Sequence, residues 1–273
     1  MVAFVAMPPI VRAQTSNSSE LVFGWDTSFR EGPSATAPAT PPVRIWRHEE
    51  LAQFHQTQSQ EKDPITGKNI RWTGVSLALL VERTLASLTP EVRAQIDLLV
   101  LRGEGHQALV PRAFLSKFPI LVALKKDQTD LASAAGEGPY YSVAPVTSHP
   151  KVTQEGLPVE TFFVPGLNRI EFANSSRRYS RFFLKRRTDP VALRGEKLFV
   201  QNCIACHEGT TTTPPEQLFS AQRSRAVASS GHPPVRGTTQ LTDRDRRSLT
   251  SYFDFYRSEN PEVQAAAPTH AAN

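Results

Sequence analysis

A chain of 273 residues has room for two domains of ordinary size, about 100 to 200 residues each. Hydrophobic residues at 39% and charged residues at 21% describe a globular composition, and no stretch approaches the roughly 20 consecutive apolar residues of a membrane span. The net charge of +5 is small for this length, so it allows acidic partners or anionic surfaces and gives no reason to expect nucleic acid.

The chain opens with a short apolar run, Met1 to Ala13, ending in a small residue before a polar stretch. It reads as the back half of a secretory signal without the positively charged opening, or else as a disordered tail. The expectation is a truncated signal segment over 1–20 and a true start upstream. A linker or loop is expected over 21–42, because Glu31 to Pro42 is small, polar and Pro-rich and cannot bury enough surface to order itself.

From Val43 the pattern becomes globular. Val43–Trp46 reads as a strand, Glu49–Gln60 as a polar helix, and Asp63-Pro64-Ile65-Thr66-Gly67 as a turn. Leucines and valines at helical spacing after Trp72 place a helix start near Ser76. Ile96–Arg102 reads as a strand, Gly103–His106 as its turn and Ala108–Val110 as the return. Short strands are expected at Pro119–Leu124, Tyr140–Pro145 and Asn168–Phe172, so the region is mixed α and β. His48 and His55, seven apart, could share a helical face, but no carboxylate or cysteine joins them at metal spacing, and they read as surface residues.

The order of turn, Trp72-Thr73-Gly74-Val75-Ser76-Leu77, helix, strand, Gly-containing turn, Leu109-Val110-Pro111, Ile120-Leu121-Val122-Ala123 and Gly138-Pro139-Tyr140-Tyr141-Ser142-Val143 resembles the molybdopterin-binding domain of the sulfite-oxidase family. The resemblance covers residues 43–175 and implies that α+β fold. An unrelated α+β domain with the same strand rhythm is the other reading. In that family a cysteine thiolate holds the molybdenum, and residues 43–175 contain no cysteine, so neither molybdenum nor molybdopterin is expected.

Residues 176–190 form a basic connector: Arg177, Arg178, Arg181, Lys185, Arg186 and Arg187 stand there without an acid between them. The segment suits docking to an acidic redox partner or a membrane surface. It equally suits a solvated connector with Phe182 and Phe183 tucked in.

The two cysteines of the chain both fall in Cys203-Ile204-Ala205-Cys206-His207, which leaves none for a disulfide or another metal site. Two thiols two residues apart on a helical backbone reach the two vinyl groups of a haem, and the histidine that follows lies under the iron. A thioredoxin-like pair needs no such histidine, and a zinc site would need a second ligand pair. Arg194 to Asn202 resembles the amino-terminal helix of class I cytochromes c, with Gly195 and Phe199 at the small and aromatic positions where it crosses the last helix. Thr242 caps that last helix ahead of Asp243 and Asp245, and Leu249, Tyr252, Phe253 and Tyr256 form one apolar stripe on it. The resemblance covers residues 191–258, with a disordered tail expected over 259–273. So small a unit has little core of its own and is expected to fold only around its haem.

Class I cytochromes c take a methionine sulfur on the far side of the iron, and the only methionines here are Met1 and Met7. His232, the one histidine between His207 and Thr242, is the candidate distal ligand. The alternative is a surface loop histidine and an open, five-coordinate iron. His270 lies in the tail, and His106 or His149 would require the two domains to meet at the iron. A second imidazole in place of a thioether implies a lower potential.

The expected fold is multidomain: an N-terminal α+β domain and a C-terminal all-α cytochrome c domain. The expected function is a periplasmic electron carrier with one covalent haem c, exchanging electrons with redox partner proteins, its front domain serving to dock them. A haem enzyme or sensor acting on a sulfur or nitrogen oxyanion, or a subunit of such an oxidoreductase, is the other reading. No phosphate loop, nucleophile elbow or paired-carboxylate site is present, so no catalytic residue is singled out.

Overall fold

The computed structural model describes residues 19–29, 42–103, 105–133, 138–155, 157–208, 214–220 and 241–265. Ten strands and nine α-helical segments are described, with several 3-10 turns between them. Glu20–Trp25 (β1) and Arg44–Arg47 (β2) pair antiparallel and are followed by a short helix, His48–Ala52 (α1). Thr57–Lys62 (β3) pairs with Asn69–Ser76 (β4), which runs directly into helix Leu77–Leu85 (α2). Helix Pro90–Gln95 (α3) precedes the hairpin Leu98–Gly103 (β5) and His106–Pro111 (β6), and then a helical turn, Arg112–Leu115 (α4). Leu121–Lys126 (β7), Thr129–Asp130 (β8), Tyr141–Val143 (β9) and Arg169–Ala173 (β10) complete the strands.

The strands make two sheets. The first has the order β2-β1-β10-β5-β6, with β1 and β10 parallel and the other pairs antiparallel. The second has the order β3-β4-β7-β8, with β9 also paired to β7. The remaining described elements are helical: Ser175–Arg178 (α5), Pro190–Leu198 (α6), Ile204–His207 (α7), Asp243–Glu259 (α8) and Glu262–Ala265 (α9).

The continuous apolar run Leu98-Leu99-Val100-Leu101 has a plain physical reason. Successive strand residues point to opposite faces, and both faces of β5 are buried. Leu99 and Leu101 join a core with Leu21, Phe23, Ile170 and Phe172 of the same sheet and with Trp72, Val75 and Val122 of the second. Leu98 and Val100 join a different core, with Leu109, Ala173 and the apolar residues of α6 and α8. The first sheet is thus a central layer, with the second sheet on one side and the helices on the other.

Most expected elements are found within a few residues of their place. The helix near Ser76 begins there because the Ser76 hydroxyl accepts from the Leu79 amide. Three expectations need correction. The linker over 21–42 contains β1, whose Leu21 and Phe23 are fully buried, so the front unit begins before residue 43. The Pro-rich run over 31–41 lies outside the described residues, as do residues 1–18.

The polar helix over 49–60 stops at Ala52, and Thr57–Lys62 is a strand. Its Gln and Glu residues favour a helix locally, but the ladder to β4 and the turn at Asp63–Lys68 override that preference. Glu61 is buried there and accepts from the Thr147 amide and the Ser59 and Ser148 hydroxyls. The expected tail over 259–273 keeps order through α9, since the Glu259 carboxylate accepts from the Lys185 and Arg186 amides. No described helix is long and apolar enough to cross a membrane.

Candidate haem site

Asp189 starts α6 by accepting from the amides of Val191 and Ala192, and Pro190 occupies the first helical position, where its missing N–H costs nothing. The helix does not end at Leu198. Phe199–Cys203 forms one wider π turn, in which the Ile204 amide reaches back to the Phe199 carbonyl, and α7 follows without a break. Cys203, the backbone of Cys206, and His207 therefore lie on one helical run from 190 to 207.

Gly195 sits at the crossing of this run with α8. A Cβ there would lie 2.0 Å from the Ser248 carbonyl oxygen and 2.7 Å from the Tyr252 Cβ, so the two backbones meet as closely as glycine allows. One turn on, Phe199 is fully buried against Phe182, Phe219, Tyr252 and Phe253, with ring centroids 4.9 to 5.7 Å away. The four stripe residues of α8, Leu249, Tyr252, Phe253 and Tyr256, are all buried.

The tyrosine hydroxyls in this cluster have partners. Tyr252 donates to the Phe182 carbonyl at 2.6 Å and Tyr256 to the Arg181 carbonyl at 2.7 Å. Burial, with contributions from Tyr256, Glu196 and Cys203, pushes the Tyr252 hydroxyl well above the usual tyrosine range, which keeps it a neutral donor. At the start of α8 the Thr242 hydroxyl and the Asp245 carboxylate make a reciprocal capping box.

Cys203 and His207 are both half-buried and stand four residues apart, one helical turn, on the same side of the run. Ile204 between them is fully buried in the helical core. A thiol and an imidazole held half-exposed on a helix packed along its other side fit part of the set, two thiols and a histidine, that a covalently attached haem uses. The Cys206 side chain and His232 lie outside the described residues. Among the described residues no group of three or more His, Cys, Asp or Glu side chains is arranged to hold a metal ion by itself.

The front sheet meets this helix. Strand β6 lies against α7, and its Gln107 and Leu109 point to the helical side. His106 belongs to the opposite face by strand alternation and is exposed. His149 is also exposed, with its Nδ1 3.0 Å from the Ser148 hydroxyl. His48 departs from the surface reading: it is half-buried, stacks on Tyr140 and lies 3.3 Å from the Asp130 carboxylate. His55 is exposed beyond the end of α1, so the two share no helical face.

The sequence reading missed the groups around Glu208, the residue after His207. Its carboxylate accepts from Arg178 Nη2 at 2.8 Å and from Tyr179 Oη at 3.4 Å, with Gln107 Nε2 at 3.5 Å. Arg178 also bonds the Asp26 carboxylate at the end of β1 and, through Nε, the Tyr179 hydroxyl. Burial alone would raise the Asp26 pKa, but the Arg178 bond and charge hold it below the usual aspartate value. The signal available in sequence was Gln107, a polar residue at a strand position whose neighbours on that face are apolar.

The basic connector is not a bare cationic strip. Arg177 bonds Gln95 Oε1, Arg181 pairs with Glu216, Lys185 bonds the Glu259 carbonyl, Arg186 pairs with Glu259 and Arg187 with the buried Glu196. Phe182 is buried beneath them and Phe183 packs at the edge of the same core, as the connector reading expects.

Compared with protein-family models and with curated proteins, the chain matches none.

Proposed function

We propose that the chain is a c-type cytochrome that carries electrons on one haem held by Cys203, Cys206 and His207. The observation that carries the reading is the placement of this motif on the unbroken helical run that crosses α8 at Gly195. A bound haem supplies the one-electron iron couple. Cys203 and Cys206 would hold it through thioethers to its vinyl groups, and His207 would supply an imidazole to its iron. Phe199 and the α8 stripe keep water from the inner side of the motif. The helical unit and the front α+β unit are read as two domains that share the first sheet as a wall. The front unit acts as a docking module without molybdenum. Haem attachment of this kind takes place outside the cytoplasm, so the protein works in the periplasm with redox partner proteins.

The test is to express the chain with an export signal and the haem-attachment machinery. Denatured protein on a reducing gel should keep its haem, and elemental analysis should find one iron and no molybdenum per chain. Haem lost on denaturation would end the cytochrome reading, and one molybdenum per chain would end the reading of the front unit.

His232 is proposed as the distal ligand, on the absence of any methionine after Met7 and of another histidine between His207 and Thr242. The loaded protein should then be low-spin and resist carbon monoxide when reduced, and His232→Ala should be high-spin and bind it at once. A wild-type protein that takes carbon monoxide immediately favours the enzyme-or-sensor reading instead.

A further inference from the structure

We propose that Arg178 is a positioning residue for the haem-bearing turn: by joining Asp26 of the front sheet to Glu208, it fixes the helix that carries His207 and sets the charge around it. The inference rests on the cytochrome reading above. It begins from an arrangement that packing alone does not require. The side chain of Arg178 is 8% exposed and that of Asp26 1%, so a full ion pair has been taken out of water at the junction of three segments. Glu208, at 23%, shares the same guanidinium.

The pair belongs to a longer chain of partners along the helical face of the first sheet. Arg169 and Arg102 both bond Glu171, at 2.7 and 2.8 Å, and Arg102 Nη1 reaches Gln107 Oε1 at 2.5 Å. Gln107 then faces Glu208, and Glu208 faces Arg178 and through it Asp26. Three cations and three anions alternate, and the site is neutral only when all are present.

Glu208 closes α7, donating its amide to the Ile204 carbonyl. As the last turn of the run, beyond the π turn, α7 has the fewest helical bonds after it to fix its rotation. The carboxylate of the very next residue, held from the connector by Arg178 and from β6 by Gln107, supplies that constraint. An arginine suits the task because its rigid fork can bond two carboxylates at once and stays charged. A lysine keeps the charge and loses the fork. The same geometry places one anion and one cation close to the position of the iron ligand. An anion there favours oxidised iron and a cation favours reduced iron.

The test uses the full chain, haem-loaded and also haem-free as Cys203→Ala/Cys206→Ala. The helical core draws on Leu98, Val100 and Leu109 of the front sheet, so, against the expectation for a unit with little core of its own, the haem-free chain has apolar surface enough to fold. Arg178→Gln should lower the midpoint potential and Glu208→Gln should raise it. Each change should be about tenfold in the ratio of reduced to oxidised haem, ~59 mV for one electron. The double variant should return near the wild-type value. Arg178→Lys should hold the potential while amide exchange over residues 199–208 rises about tenfold, and this variant carries the geometric arm if Arg178→Gln does not accumulate. Single variants that leave the potential unchanged, or move it in the same direction, would reduce Arg178 to a packing residue and overturn the proposal. The exchange arm is read in the haem-free chain too. A chain that attaches no haem defeats the cytochrome reading while still reporting on the clamp, and unchanged exchange there with Arg178→Lys defeats the clamp itself.

Discussion

Gly195→Val is expected to separate α6 from α8 and to lower thermal stability by about 6 to 12 °C. Overpacking a core costs about 1 to 3 kcal/mol, occasionally more, when the obstructing atoms can yield. At Gly195 the atom in the way is the Ser248 carbonyl oxygen, 2.0 Å from where a Cβ would stand, with the Tyr252 Cβ at 2.7 Å. Backbone in the middle of a 17-residue helix cannot step aside as a side-chain tip can. The upper end, about 3 kcal/mol, is therefore expected, and each kcal/mol is worth about 2 to 4 °C in a chain of 150 to 250 residues. The Cys203–His207 motif lies on the same helical run, so in the proposed cytochrome haem content should fall with it. Thermal unfolding followed by circular dichroism checks this, and a variant melting within about 1 °C of wild type would show that α6 and α8 do not meet as described.

Phe199→Ala and Trp72→Ala should cost similar stability, about 3 to 5 kcal/mol each, with different consequences for the haem. Both side chains are fully buried, but in different cores. Trp72 lies on the second sheet against Tyr141, centroids 4.7 Å apart, with the whole first sheet between it and Cys203. Phe199 stands four residues before Cys203 and touches four rings of the helical core. Denaturant titration should register both losses, whereas the haem absorption spectrum of the native protein should change only in Phe199→Ala. An equal spectral change in Trp72→Ala would mean that the two cores respond as one at the haem.

Much of the strand pattern was legible because its causes are local or periodic. The run at Leu98–Leu101, the Gly-containing hairpin and the capped helix at Thr242 each carry their signal within a few residues. The Cys203–His207 spacing and the small-then-aromatic pair Gly195 and Phe199 were legible for the same reason. What escaped depends on distant partners. β1 looked like a linker because the strands that pair with it lie far along the chain, β2 at 23 residues (Val22 and Ile45) and β10 at 147 (Val22 and Arg169). β3 looked helical because its residues are polar, and its buried Glu61 is tolerated through donors at Thr147 and Ser148 as well as at Ser59. Arg178 was one cation in a row of six, and nothing nearby distinguishes the one buried between Asp26 and Glu208 from those on the surface.

For the proposed electron carrier, the two-faced burial of β5 bears on how quickly electrons would be exchanged. A cytochrome unit on a slack tether would search for its partner at the raised local concentration that a linker confers. Here Leu98, Val100 and Leu109 of the front sheet are part of the helical core, so the motif rides on a rigid slab and cannot swing out. Encounter with the proposed partner would then be a collision between two bodies without a swinging arm. Its rate is set by how small the reactive patch is and by charge steering that weakens as salt is added, and lengthening the chain between residues 183 and 190 would not speed it.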